Sequence, residues 1–110
     1  MKLYDKSEIS VQELKKLVDN NKNLQILDIR DDSERRLVSI KDTIHMKLMD
    51  LAGRFEELDS NKNIFVMCHT GTRSQVVVKW LRSQGYSYAV NVLGGIDAWA
   101  ALIDRSIRRY

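Results

Sequence analysis

The 110-residue chain has no proline, one cysteine, two histidines and no long run of apolar residues. Each shortage excludes something. A single cysteine cannot form an internal disulfide or supply the set of thiolates that a zinc site draws on, so Cys68 is either packing or chemistry. No segment approaches the ~20 apolar residues of a membrane helix, and the opening MKLYDKSEIS lacks the apolar core of a secretory signal. A soluble, cytoplasmic protein is the expectation. Without proline one class of boundary marker is missing, and neither a repeat, a low-complexity tract nor a linker takes its place. One sign of charge is not in large excess either: 18 Lys and Arg against 15 Asp and Glu leave +3. The basic residues are scattered except in the tail DRSIRRY, which is too weak a footprint for nucleic acid. Arg105, Arg108 and Arg109 read more simply as favourable charge at a helix C-terminus. With 44% hydrophobic and 30% charged residues, residues 1–110 fit one domain that buries roughly two-thirds of its unfolded surface.

What is present is a regular alternation of patterns. Ser10 and Glu13 match a capping box, and Val11, Leu14, Leu17 and Val18 recur at helical spacing, so a helix is expected over 11–19. LQILDI, an apolar run between the polar stretches NNKN and RDDSE, reads as a buried strand. Between Ser33 and Lys47 the pattern is ambiguous, with SERRLV compatible with a short helix and TIHMKL with a short strand. Leu51, Phe55 and Leu58 predict a helix over 48–58, broken by SNKN before the strand IFVM. Val77, Trp80 and Leu81 mark the next helix, which Gly85 is placed to terminate. YAVNVL is a further strand, and Ile96, Trp99, Ala100, Ile103 and Ile107 line a last helix. Strands alternating with helices imply an α/β fold with a mostly parallel central sheet covered by helices on both faces. Trp80, Trp99 and His45 read as structural.

In such sheets ligands bind outside the carboxyl ends of the strands, and Cys68 lies at one, after IFVM. The following HTGTRS leads into a helix whose first N–H groups have no intrahelical partner. Gly71 permits backbone angles that let the loop curl and aim several N–H groups inward, as an anion-binding nest. A thiol at its centre ionises more readily than a free cysteine, which titrates near ~8.5.

CHTGTRS resembles the active-site loop of the rhodanese-like sulfurtransferases: cysteine, two variable residues, glycine, one variable residue, arginine and often serine. LDIRDDSE resembles that family's aspartate, arginine and glutamate segment after an early strand, and VLGGIDAW its double-glycine and tryptophan signature. The three motifs occur in the family's order and near its spacing, so the resemblance covers nearly the whole chain. One stretch departs from it. Where the family has glycine, histidine and isoleucine, then glycine and alanine, then proline, ERRLVSIKDTIHMKL keeps Ile40 but has Val38, Ser39, Asp42, Thr43 and Lys47 at the other positions.

Six residues run from Cys68 through Arg73, with four between them, whereas related cysteine phosphatases have five. The tighter ring suits a sulfane sulfur or small oxyanion better than a tetrahedral phosphate, which opposes a phosphatase or arsenate reductase. The resemblance implies a Cys68 persulfide formed from a donor such as thiosulfate and discharged to cyanide, a low-molecular-weight thiol or a protein thiol. A non-catalytic interaction or persulfide-carrier module serving a partner enzyme is the alternative. No cofactor, metal, nucleic acid or membrane is called for. His69, Thr70, Gly71, Thr72 and Arg73 supply the loop's N–H groups, with Thr70 and Thr72 offering hydroxyls at the rim and Ser74 supporting. Arg73 either faces the incoming anion or turns outward to an acidic residue. His69 reads as a solvent-facing loop residue rather than an acid or base. Asp28 and Arg30 read as an ion-pair brace that also involves Glu34, and Gly94 and Gly95 as a tight turn, since no G-x-G-x-x-G pattern surrounds them.

Overall fold

The computed structural model describes residues 3–21 and 23–110. Five short strands, β1 (Glu8–Ile9), β2 (Gln25–Asp28), β3 (Ile44–His45), β4 (Ile64–Met67) and β5 (Ala89–Val92), form one sheet in the order β1-β5-β4-β2-β3. Every pairing is parallel. The crossovers carry α1 (Val11–Asn20), α2 (Asp32–Leu37), α3 (Leu51–Arg54) and α4 (Thr72–Ser83), and α5 (Gly95–Leu102) follows β5. Met1, Lys2 and Lys22, the last in the polar break before β2, lie outside the described residues.

Strand alternation sorts the core into two layers. Leu27, Ile64, Val66 and Cys68 pack with Leu51, Val77, Val78 and Leu81 from α3 and α4. Ile26, Phe65, Met67, Val90 and Val92 pack on the opposite face with Leu14 of α1 and Ile96 and Trp99 of α5. All four residues of β4 are buried, as a central strand covered on both faces requires. Trp99 is buried, while Trp80 is half-buried and meets Phe55 edge-on with ring centroids 4.9 Å apart.

Several expected elements differ from the observed ones. The helix expected over 48–58 is three pieces, a 3₁₀ turn at Leu48–Asp50, α3, and a second 3₁₀ turn at Phe55–Glu57. None has a side-chain cap, and Gly53 sits in the middle, so packing of Leu51 and Leu58 shapes the segment more than helix propensity does. Of TIHMKL only Ile44–His45 pairs with β2. The last helix stops at Leu102, where Asp104 turns the chain by accepting from the Ser106 N–H at 3.1 Å, although Ile103 and Ile107 still pack on the core. Strand β1 has no counterpart in the sequence reading; two residues are too few for a periodic signal. The capping box expected at α1 is half formed: Ser10 Oγ accepts from the Glu13 N–H, but the Glu13 carboxylate accepts from the Ser10 hydroxyl rather than from its main chain. A complete box instead starts α2, between Asp31 and Glu34. Gly85, at φ 95°, ends α4 with the bonds Gly85 N–H to Arg82 O and Tyr86 N–H to Leu81 O. Among the described residues no helix is long and apolar enough to cross a membrane.

Candidate active site

Register brings the motifs together. Asp28 pairs with Met67, so Ile29 and Arg30 emerge from the sheet beside Cys68, all at the carboxyl edge. Gly71, at φ 95°, begins α4 in the left-handed region and bends the loop back over the cysteine. The Gly71 N–H points at Cys68 Sγ from 3.2 Å and the Ser74 N–H from 3.4 Å, with Ser74 Oγ 3.3 Å away. Cys68 is only 1% exposed. Burial pushes its thiol up, but the hydrogen bonds that the Ser74 hydroxyl and the main-chain N–H groups of Ser74, Gly71 and Thr70 can give to the ionised sulfur outweigh it, and the thiol titrates below its ordinary value.

The ring is pinned from below by α5. Its free N-terminal donors, Ile96 N–H and Asp97 N–H, bond the carbonyls of Cys68 and His69 at 2.9 and 3.0 Å. Those two carbonyls therefore face α5. Gly94 and Gly95 do more than turn the chain: a Cβ on Gly95 would lie 2.7 Å from the His69 carbonyl oxygen and closer still to that of Cys68. Only a residue without a side chain lets α5 approach the loop so closely.

Arg73 points outward. Its Nη1 and Nη2 donate to the two oxygens of Glu34 at 2.9 and 3.0 Å, the bidentate geometry that gives an arginine–carboxylate pair its strength. Of the two orientations open from sequence, the brace is the one adopted. Glu34 is partly buried, which raises its pKa, but the bonds from Arg73 and Tyr110 bring it below the usual carboxylate range.

The Asp28–Arg30 pair forms as expected, with Nε to Oδ1 at 3.0 Å and Nη2 to Oδ2 at 2.8 Å. Arg30 is fully buried, and its remaining donors reach the carbonyls of Glu34 and Val38 and the hydroxyl of Tyr110. Glu34 thus joins this brace through its main chain, while its carboxylate serves Arg73. Arg35 adds a bond to Asp28 Oδ2 at 3.1 Å. His45 is structural, its Nε2 held 2.7 Å from the Arg30 carbonyl.

Two placements depart from expectation. His69 is half-buried rather than solvent-facing: its ring stacks flat on Tyr110, with centroids 3.9 Å apart and planes 4° from parallel. Its Nε2 has no hydrogen-bond partner among the described residues. Arg109 does not sit on the last carbonyls of a helix but returns to Asp97 in the first turn of α5, at 2.9 and 3.1 Å. That salt bridge brings Tyr110 over the site, which no local pattern in the tail announces. Thr70 and Thr72 are exposed. Sequence reading also missed Asn91 on β5. Alternation was a signal that could have found it, since Asn91 is in register with Val66, two residues before Cys68 on the same face. Its Oδ1 accepts from the Ser74 hydroxyl at 2.5 Å and its Nδ2 donates to the Gly71 carbonyl at 3.2 Å.

The sequence model of the rhodanese-like domain family matches residues 10–102. The chain belongs to the rhodanese-like domain family. It is 36% identical over 92 residues to the Bacillus subtilis protein named "Putative sulfurtransferase YtwF", covering 84% of this chain and 88% of that one. Against "Putative sulfur carrier protein YrkF" of the same organism it is 34% identical over 92 residues, spanning half of that protein's length. A crystal structure of a rhodanese-like domain protein from Staphylococcus aureus superposes with a TM-score of 0.80 at 31% identity, covering 86% of this chain and 91% of that one.

The segment that departs from the family pattern makes its own turn. Asp42 takes φ 62°, the left-handed region, where the family has glycine. Lys47, at the family's proline position, lines a groove of ≈ 370 Å³ beside the loop together with Ile29, Asp31, Leu48, Met49 and Arg73.

Proposed function

We propose that this rhodanese-like domain transfers sulfane sulfur through a persulfide on Cys68. The observation that carries the reading is the convergence of the Gly71 and Ser74 N–H groups on the sulfur of the one cysteine. Fixed donors of this kind stabilise charge on sulfur without reorganising. In the first half-reaction the Cys68 thiolate attacks the outer sulfur of a donor such as thiosulfate. The donor's S–S bond breaks, its electron pair leaves with sulfite, and Cys68 carries the outer sulfur. In the second, cyanide or a thiolate attacks that sulfur, and the pair of the new S–S bond returns to Cys68. Arg73, held by Glu34, keeps the loop closed rather than reaching for the donor. The groove between Arg73 and Met49 is the approach to the loop.

The name of the half-matched Bacillus relative favours a second reading, in which the domain carries a persulfide received from a partner enzyme. Intact mass after exposure to thiosulfate tests the first reading: one added sulfur atom is expected, absent in Cys68→Ser. A thiosulfate:cyanide assay separates the two, because a dedicated carrier turns over slowly while still accepting sulfur from its partner. A folded protein that gains no sulfur from thiosulfate or from any persulfide donor overturns both.

A further inference from the structure

Ser74 and Asn91 are buried polar side chains, 0% and 5% exposed, and they connect Cys68 to the loop's own backbone in a chain whose direction is fixed. A main-chain carbonyl only accepts. The Gly71 carbonyl, 3.2 Å from the Asn91 amide, must therefore face its NH₂ group, which turns Oδ1 toward Ser74. A flipped amide would set two oxygens against one another there. Oδ1 is in turn only an acceptor, so the single hydroxyl proton of Ser74 lies on the 2.5 Å contact to Asn91. What Ser74 then presents to Cys68, 3.3 Å away, is a lone pair. The neutral thiol donates into it.

This direction suits the thiol and not the thiolate, which needs donors. We propose that Asn91 is the positioning residue of this site: it holds the Ser74 hydroxyl as an acceptor for the Cys68 thiol, and the hydroxyl turns to donate to sulfur when Cys68 ionises. Asn91 touches no reacting atom and acts through Ser74. The amide bond to the Gly71 carbonyl keeps its oxygen in place whichever way the hydroxyl points. Turning costs the Ser74–Asn91 bond and leaves Oδ1 buried without its donor, so Asn91 restrains ionisation that the loop N–H groups favour. The thiolate is thereby released only in step with the hydroxyl's rotation. The proposal rests on the Cys68 reading for its consequence in sulfur transfer, but its test does not.

The other ionisable groups of the site leave this account unchanged. Arg73, whose charge is coupled to Cys68, is clamped by Glu34, and Asp28 and Arg30 at the end of β2 neutralise one another. His69 lies in the loop with Tyr110 stacked on it, and Asp97 of α5 is paired with Arg109. None of them bonds Asn91 or Ser74.

The experiment is the rate of Cys68 alkylation by iodoacetamide against pH, for the parent, Asn91→Leu, Ser74→Ala and the double variant. Leucine keeps the branched shape of the amide without its polar atoms; Asn91→Ala stands in if Asn91→Leu does not fold, as judged by circular dichroism. Asn91→Leu frees the hydroxyl and is expected to raise the alkylation rate about tenfold at pH values below the parent's midpoint, the worth of one net hydrogen bond. Ser74→Ala alone moves the midpoint up. In the Ser74→Ala background the Asn91 substitution changes nothing, the non-additivity that marks action through a shared partner. An equal shift with and without the Ser74 hydroxyl assigns Asn91 to holding the loop only, and overturns the proposal. So does a slower Asn91→Leu, or a Ser74→Ala midpoint equal to the parent's. Because iodoacetamide involves no sulfur donor, persulfide formation measured on the same variants can fail without touching this result.

Discussion

The Tyr110 hydroxyl donates to Glu34 Oε2 at 2.7 Å while it accepts from Arg30 Nη1 at 3.0 Å, so one phenol joins the buried brace to the carboxylate that clamps Arg73. This is a neutral-phenol arrangement. Burial and the Glu34 charge push Tyr110 up to about 12 against the pull of Arg30. A group whose folded pKa is raised contributes stability that is complete below its unfolded pKa and is lost as pH rises through the folded one. At pH 8, Tyr110→Phe is expected to cost about 1 kcal/mol, the ring stack on His69 being retained. The parent's advantage should then shrink between pH 10.0 and about 12, as the unfolded phenol ionises first. Melting temperatures of both proteins across that range check it, and a constant difference would contradict the assignment.

Asp28 answers to a different balance, since its partner Arg30 has no exposed surface and no means of losing its charge. Asp28→Asn leaves that guanidinium without its bidentate carboxylate and takes a partner from Arg35 as well. Breaking a buried pair from one side costs roughly 3–5 kcal/mol. The expectation is a fall of more than about 10 °C in melting temperature, with activity lost alongside. Activity lost at an unchanged melting temperature would instead assign Asp28 a direct part in the chemistry.

What was legible in the sequence was what depends on short-range pattern. The strand before Cys68, the glycine that ends α4 and the loop itself are each written in fewer than a dozen neighbouring residues, and the structure places them as expected. Asp28 and Arg30 are two residues apart, so their pairing needed only a strand end. Glu34 and Arg73 are 39 positions apart and Tyr110 lies 76 beyond Glu34; those partners are chosen by the sheet order and by the Arg109–Asp97 bridge, which no local window contains. His69 was misplaced for that reason, because its surroundings come from the tail. The helix expected over 48–58 failed on another count: its apolar spacing is helical, but buried side chains at Leu51 and Leu58 also fit separate tight turns.

Gly95 and Gly53 form a paired test of the docking of α5. A methyl on Gly95 would meet the backbone of Cys68 and His69, at a φ of 56°, whereas one on Gly53 has nothing within 4 Å. Gly95→Ala is expected to displace the loop, lowering both stability and the alkylation rate of Cys68. Gly53→Ala, inside α3, should be neutral or stabilise by about 0.5–1 kcal/mol. Denaturant midpoints with the alkylation rate of each variant decide it. A Gly95→Ala protein with parental values would mean that α5 does not hold the ring shut.

A change in ring size tests the proposed sulfur chemistry against phosphate chemistry most directly. Inserting one glycine between Thr70 and Gly71 gives five residues between Cys68 and Arg73 while leaving both side chains available. The Gly71 and Ser74 N–H groups now 3.2 and 3.4 Å from Sγ would no longer converge on one sulfur. Loss of a preorganised donor of this kind costs ~10²- to 10³-fold in rate, so persulfide formation from thiosulfate should fall by at least that range. The widened ring should bind phosphate or arsenate more tightly than the parent does. The Arg73–Glu34 clamp lies outside the inserted segment and keeps the far end of the loop anchored, so circular dichroism and melting temperature should change little. Persulfide formation and oxyanion affinity, measured side by side, give the answer. An insertion variant that takes sulfur as fast as the parent would show that four intervening residues do not set the reaction, and the choice of sulfur over phosphate would then rest on kinship alone.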